Sequence, residues 1–293
     1  YGQGIDKSIT DVLAEYMNGV PLSSLGHPDN DPYQPFRRAD VGLWGGILAY
    51  QTGILDPMSD AQDNKQYTVA NNLATGSRTN PSMRNVNKGS IDEYSISGGF
   101  NIQNILYLGF TIGIQDILYR NDNYYAETYD NNSLPLNGMN YIRSLHLNGT
   151  GVNFKFGAVV RPIENLRIGV AVHTPTLVSI NEEYIEWMSA DYKNTARGEL
   201  LDSPRSLNEY DINTPTRLLT GISYTLPGVG LITADYERVW YNRMKLRNMG
   251  TENWDFQQTI NNEVSSFYQP ANNFRVGIEA TPAQNFYIRA GYA

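Results

Sequence analysis

Ten ionisable residues of this chain fall on one parity of segments that otherwise alternate polar with apolar: Lys155, Arg161, Arg167, His173, Arg217, Asp235, Glu237, Arg275, Glu279 and Arg289. Mixed signs on neighbouring segments predict ion-pair ladders, because charges withdrawn from bulk water are paired. A guanidinium left over from such a ladder could hold a carboxylate through two parallel hydrogen bonds. Arg167 and His173 are the first binding candidates on this face, with a satisfied wall residue as the alternative for the histidine. Neither a Gly-x-Ser-x-Gly elbow nor a His-Glu-x-x-His site occurs, and pairing Ser97, Ser179 or Ser223 with His173 would rest on inventory alone. No catalytic residue, metal site or resident cofactor is therefore expected. The available imidazoles are His27, His146 and His173.

The elements that must position these groups are four hairpins. In residues 93–120, Tyr94, Ile96, Gly98, Phe100 and Ile102 share one parity, and Leu106, Leu108, Phe110, Ile112 and Ile114 share it again after a turn at Gln103 and Asn104. That period of two marks strands. Val152, Phe154, Phe156, Ala158 and Val160 pair with Leu166, Ile168, Val170 and Val172 across the turn at residues 161–165. Leu218, Thr220, Ile222 and Tyr224 precede Pro227-Gly228-Val229-Gly230, and Ile232, Ala234 and Tyr236 follow it. Phe274, Val276 and Ile278 face Phe286, Ile288, Ala290 and Tyr292.

Alternation alone fits a soluble sandwich as well as a membrane barrel, since each has one wet face. Two features favour lipid. Strands run to about 10 residues or more, the length a tilted strand needs to cross a bilayer, and short turns alternate with polar connections at residues 121–140, 182–211 and 248–269, as in bacterial outer-membrane barrels. No apolar run approaches the 18 or so residues of a spanning helix. The mean hydropathy of -0.43 suits a barrel, in which only every second strand residue meets lipid. The 21 tyrosines suit interfacial girdles, or simply strands. The formal charge of -8 without a Lys/Arg cluster argues against a nucleic-acid partner, and the absence of cysteine excludes disulfides and thiolate chemistry.

Residues 1–90 read differently. Ile5, Ile9, Val12, Leu13, Tyr16 and Met17 recur at helical spacing after Asp6 and Ser8 as caps. A second helix is predicted over residues 41–54, with Leu43, Trp44, Ile47, Leu48 and Ile54 on one side. Such helices would belong to a long extracellular loop, offering an apolar capture surface through Leu43, Trp44, Ile47 and Leu48, or packing against their own loop. Residues 56–90 are polar and read as loop. The domain expectation is a helix-containing extracellular region at 1–90 and a barrel at 91–293.

Residues 151–176, GVNFKFGAVVRPIENLRIGVAVHTPT, resemble the strand-turn-strand segment of the FadL-like outer-membrane transporters of long-chain fatty acids and aromatic hydrocarbons, particularly the subgroup often labelled putative hemin receptors. PTRLLTGISYTLPGVGLITADYERVWY (215–241) and NFRVGIEATPAQNFYIRAGY (273–292) are similar to the succeeding hairpins, and SITDVLAEYMNG (8–19) is similar to that subgroup. The resemblance implies an all-β antiparallel transmembrane β-barrel of about fourteen strands, of which roughly eight are recognisable here, so the chain reads as a fragment lacking hatch and closing strands. It also implies passive uptake of a hydrophobic small molecule across the outer membrane of a Gram-negative cell. Capture would be by loops, transfer through a barrel pocket, and release through a lateral opening. Hemin transport and a non-transport surface or structural barrel stay open as alternatives. The partners are outer-membrane lipid and the cargo, with no protein partner inferable.

One irregularity bears on a lateral opening. Leu145 and Leu147 are odd-numbered, whereas from Val152 the apolar residues are even. A phase change across Asn148-Gly149-Thr150-Gly151 predicts a bulge and a kink in the wall.

Overall fold

A computed structural model describes residues 2–5, 8–25, 31–69, 78–130, 136–193, 200–250 and 253–293. Asp6 and His27 lie outside the described residues. In chain order the elements are α1 (Ile9–Met17), α2 (Gln34–Arg38), α3 (Trp44–Gln51), β1 (Leu55–Pro57), β2 (Tyr67–Val69), β3 (Thr79–Ile102), β4 (Leu106–Tyr129), β5 (Leu136–Ile163), β6 (Leu166–His173), β7 (Leu177–Tyr192), β8 (Leu201–Asp202), β9 (Ser206–Asn213), β10 (Arg217–Leu226), β11 (Gly230–Val239), β12 (Lys245–Arg247), α4 (Trp254–Phe267), β13 (Ala271–Ala283) and β14 (Phe286–Tyr292). β3 to β14 make one twelve-stranded sheet, mostly antiparallel, and β1 pairs with β2.

The hairpins form in the register that the alternation predicts. Phe156, Ala158 and Val160 stand opposite Val172, Val170 and Ile168, Ile222 opposite Ala234, and Ala234 opposite Val276. Gln103 and Asn104 both take positive φ, the backbone of a tight hairpin turn. Among the described residues β3 pairs with no strand but β4 and β14 with none but β13, so no closed barrel forms, in line with the incomplete closure expected; the correction is the count, twelve strands rather than about eight.

The polar connections are also corrected. β4 runs to Tyr129 and β5 begins at Leu136, leaving little loop in 121–140; β7, β8 and β9 occupy much of 182–211; α4 fills most of 248–269; and β3 begins at Thr79, inside the stretch read as loop. Where β3 begins and β4 ends, polar side chains pair along the strand face, so no apolar alternation marks them. The Asn121 amide donates to Asn85 at 2.8 Å and also to Asn87, whose side-chain oxygen accepts from the Tyr119 hydroxyl at 3.0 Å.

The chain divides into two compact units. The helical unit comprises residues 1–89, 119–147 and 182–207, so the first ninety residues share their unit with later strand segments. Its core gathers Leu13, Met17, Phe36, Ile47, Leu48, Leu55, Leu136, Met139 and Met188. Trp44 to Ala49 are all buried in α3, the behaviour of a helix that is apolar all round. Helix α1 starts with a capping box between Ser8 and Asp11. The Glu127 carboxylate accepts from the Ile9 amide at 2.8 Å and from the Ser8 hydroxyl, a negative charge against the positive end of the helix.

A second buried carboxylate, Glu186, accepts from the hydroxyls of Tyr141, at 2.9 Å, and Tyr184. Burial pushes its pKa above the ordinary carboxylate range, although the Tyr184 and Tyr141 bonds and the Arg143 charge pull the other way. The folded unit therefore holds this proton more tightly than the unfolded chain. That contribution to stability is complete below the ordinary Glu pKa and is lost as pH rises through the elevated folded value. Glu186→Gln should accordingly raise the melting temperature of the helical unit at pH 8 and leave it unchanged at pH 4. A thermal melt at the two pH values checks this; an equal effect at both would show that ionisation is irrelevant.

The hairpin unit comprises residues 90–118, 148–181 and 208–293. The clustered hydrophobic core contains none of its residues. Instead its even-numbered face leaves Ile96, Phe100, Phe156, Val170, Ile222, Phe274 and Ile278 exposed.

Candidate functional site

The odd-numbered face of the hairpin unit can be read rung by rung from the strand register. One rung runs Lys155, His173, Arg217, Val239, Ala271. The next is Gly157, Ala171, Leu219, Glu237, Asn273, and the third is Val159, Gly169, Gly221, Asp235, Arg275. Side chains of one parity share a face, so small residues on β5, β6 and β10 make a floor beside charges on β11 and β13. A concavity of about 750 Å³ follows this floor, lined among others by Lys155, Gly157, His173, Gly221, Asp235, Glu237 and Arg275. At Gly221 an added Cβ would come within 2.5 Å of an Asp235 carboxylate oxygen, so a larger residue there would displace the Asp235 side chain.

Two shared carboxylates organise the charges. Glu237, buried, accepts from Arg275 at 3.1 Å and Asn273 at 3.2 Å and lies 3.6 Å from Arg217. Glu93 pairs with Lys155 and accepts from Gln115 at 2.9 Å and Asn153 at 3.1 Å. Asp235 makes no ion pair or side-chain hydrogen bond among the described residues. The buried Asn153 donates to Thr176 at 3.4 Å while its side-chain oxygen has no partner.

Of the residues expected to bind, His173 lines the concavity. Arg167 is exposed, donates to Thr225 at 3.5 Å, and has no carboxylate partner among the described residues. Trp44, Ile47 and Leu48 are only 5%, 0% and 0% exposed, and Leu43 packs against the same core of the helical unit. They are core residues there, not an open capture surface, because α3 buries its whole circumference. Ser97 bonds Thr111 at 2.9 Å and Ser179 bonds Asp211 at 2.7 Å. His146 lies 3.1 Å from Ser144 and 3.9 Å from Asp122 in the helical unit. Among the described residues no group of three or more His, Asp or Glu side chains is placed to hold a metal ion.

At the expected kink the strand is continuous. Asn148, Gly149, Thr150 and Gly151 sit inside the unbroken strand β5. Their glycines admit close neighbours: an added Cβ would meet Ile180 at 2.6 Å from Gly149 and Thr176 at 2.8 Å from Gly151. The interruptions fall between β6 and β7 and between β9 and β10, at Thr174-Pro175-Thr176 and Thr214-Pro215-Thr216. Proline has no N–H for the ladder. The two breaks bond each other, with the Thr176 amide donating to the Thr214 hydroxyl at 2.8 Å and the Thr214 amide donating to the Thr176 carbonyl at 3.1 Å. Thr214→Val should therefore unpair the Thr176 amide and cost about 1 to 2 kcal/mol, visible as faster hydrogen exchange at Thr176.

Glu93, Asn153 and Thr176 were not among the sequence candidates. The two identical Thr-Pro-Thr triplets were the available signal. Neither models of known protein families, nor the curated proteins, nor the solved structures contain a match to this chain.

Proposed function

We propose that this chain is an outer-membrane β-barrel protein of the FadL-like kind, passing hydrophobic small molecules such as long-chain fatty acids by diffusion through its wall and lumen, without catalysis. The observation that carries this reading is the unpartnered apolar face of the hairpin unit, from Ile96 to Ile288, set back to back with a charged concave face. In water such a face is far larger than monomeric soluble proteins leave bare; in a bilayer it is what lipid requires. No helix among the described residues is long and apolar enough to cross a membrane, which leaves strands as the crossing elements. Lipid would also require the edges of β3 and β14 to be covered.

The concave floor supports transport over a merely structural wall. Small residues keep it open while the charges of Lys155 and Arg275 are compensated by Glu93 and Glu237. An apolar cargo would lie along the floor, each methylene contributing about 0.8 kcal/mol on leaving water.

Because the chain has no cysteine, single-cysteine spin labels report each face cleanly. Labels at Val160, Val170, Ile222 and Val276 in reconstituted vesicles should collide with oxygen, and labels at Val159, Ser223 and Thr233 with a water-soluble nickel chelate. Loss of that alternation would sink the membrane reading. Native mass spectrometry from mild detergent then tests cargo: a retained fatty acid supports the proposal, and retained heme favours a hemin transporter. A protein that stays empty after incubation with both would be a surface-binding or structural barrel.

A further inference from the structure

The apolar face of the hairpin unit ends on a charge. Moving along the register from Ile222, Ala234 and Val276, the next even rung holds Thr220, Tyr236 and Phe274, and the one after it Leu218, Arg238 and Asn272. Tyr236 and Phe274 stack with ring centres 4.9 Å apart. Arg238 thus stands on the apolar side, just past an aromatic pair, with Glu237 turned to the other face and already held by Arg217 and Arg275.

Beyond it cations accumulate without ion-pair partners among the described residues. The Arg238 and Arg243 guanidinium carbons lie 5.5 and 5.6 Å from the Trp240 ring centre, a stacking that leaves guanidinium N–H edges free for an anion. The Arg238 Nε is buried and makes no hydrogen bond. Among the described residues Arg238, Arg243, Lys245 and Arg247 form no ion pair, although the chain carries an excess of acid. Arg247 lies across the strand pair from Asp211, whose oxygens are taken by Ser179 and by the Asn248 amide. Lys245 and Arg247 also line a concavity of about 800 Å³ shared with amide side chains of α4, including Gln257 and Asn261. That helix exposes Trp254 and Phe256.

We propose that Arg238, Trp240 and Arg243, extended by Lys245 and Arg247, bind the phosphate headgroup of an anionic lipid at the rim of the bilayer. The reasoning rests on the membrane reading above. Unpaired guanidinium groups match phosphate oxygens in charge and fork geometry, and their place one rung past the apolar band is the depth at which headgroups begin. Exposed aromatics beside them belong to the same interfacial layer. A free phosphate would satisfy the cations but leave Trp254 and Phe256 bare, which favours a lipid as the occupant.

The test titrates the detergent-solubilised chain with dioleoyl phosphatidic acid, dioleoyl phosphatidylcholine or inorganic phosphate, followed by native mass spectrometry. Phosphatidic acid should bind at least ten times more tightly than phosphatidylcholine. Arg238→Gln with Arg243→Gln should remove that preference, while Arg238→Lys with Arg243→Lys should keep part of it. Equal binding of the two lipids, or an undiminished preference in the glutamine variant, would overturn the proposal. Displacement of phosphatidic acid by millimolar inorganic phosphate would overturn the lipid as source. Resistance of vesicle-bound chain to a carbonate wash is scored separately. A chain that washes off sinks the membrane reading and this site with it, whereas a chain that stays and shows no lipid preference sinks the site alone.

Discussion

Glu127→Ala should release the first helix from the helical unit. Glu127 is 1% exposed, and its carboxylate collects the Ile9 amide, the Ser8 hydroxyl and the hydroxyls of Tyr125 and Tyr129. Burial and the adjacent carboxylate push the pKa of both tyrosines upward, so their protons remain in place as donors. Alanine strands four donors at once, the Ser8 hydroxyl fully buried and the other three partly so. Each hydrogen bond to a charged group contributes about 1.5 to 3 kcal/mol, and the bonds are not independent, so a loss of about 3 kcal/mol or more is expected. Glu127→Gln should recover part of it by keeping an acceptor. Hydrogen exchange over Ile9–Met17 reads the outcome directly. Unchanged protection in the alanine variant would mean that the apolar contacts of Leu13 and Met17 alone hold the helix.

That anchor was invisible in the sequence for a physical reason. Glu127 follows a run of Asn, Asp and Tyr that looks like loop, and nothing in residues 121–130 announces that a strand face will be closed by a helix more than a hundred residues earlier. Period-two alternation is legible only where one face meets an apolar phase and the other meets water. The hairpins around Phe156, Ile222 and Val276 satisfy that condition, and their register followed from parity. Polar strands such as the start of β3 have amide ladders on their faces and carry no such contrast. Trp44, Ile47 and Leu48 were recognisable as apolar and helical, yet the glycines beside them concealed that the helix is buried all round. On the concave face the charged parity was readable as a set. Which carboxylate serves two cations, Glu237 for Arg217 and Arg275, depends on neighbouring strands and is a property of register.

Ile222→Arg should be among the most damaging single substitutions on the hairpin unit. Ile222 lies on the apolar face between Ile168 and Ala234 and is 46% exposed, so the penalty comes from what the face meets rather than from a cavity. At the middle of a bilayer an outward arginine costs about 2 to 4 kcal/mol in a barrel, falling to about 0 to 1 near the interface. Val172 points the same way but shares a rung with Leu218 and hence with Arg238, four residues or roughly 13 Å further along the strand. Val172→Arg should therefore be nearly silent. On the concave face Thr233→Arg, beside Ser223 and Gly277, turns away from the apolar phase and should also be mild. Folded yield on refolding from urea into vesicles, read by heat-dependent gel mobility, ranks the three. A soluble core packed against the apolar face would instead penalise Ile222→Arg and Val172→Arg alike, because a packed interior excludes charge at every rung, whereas lipid excludes it by depth.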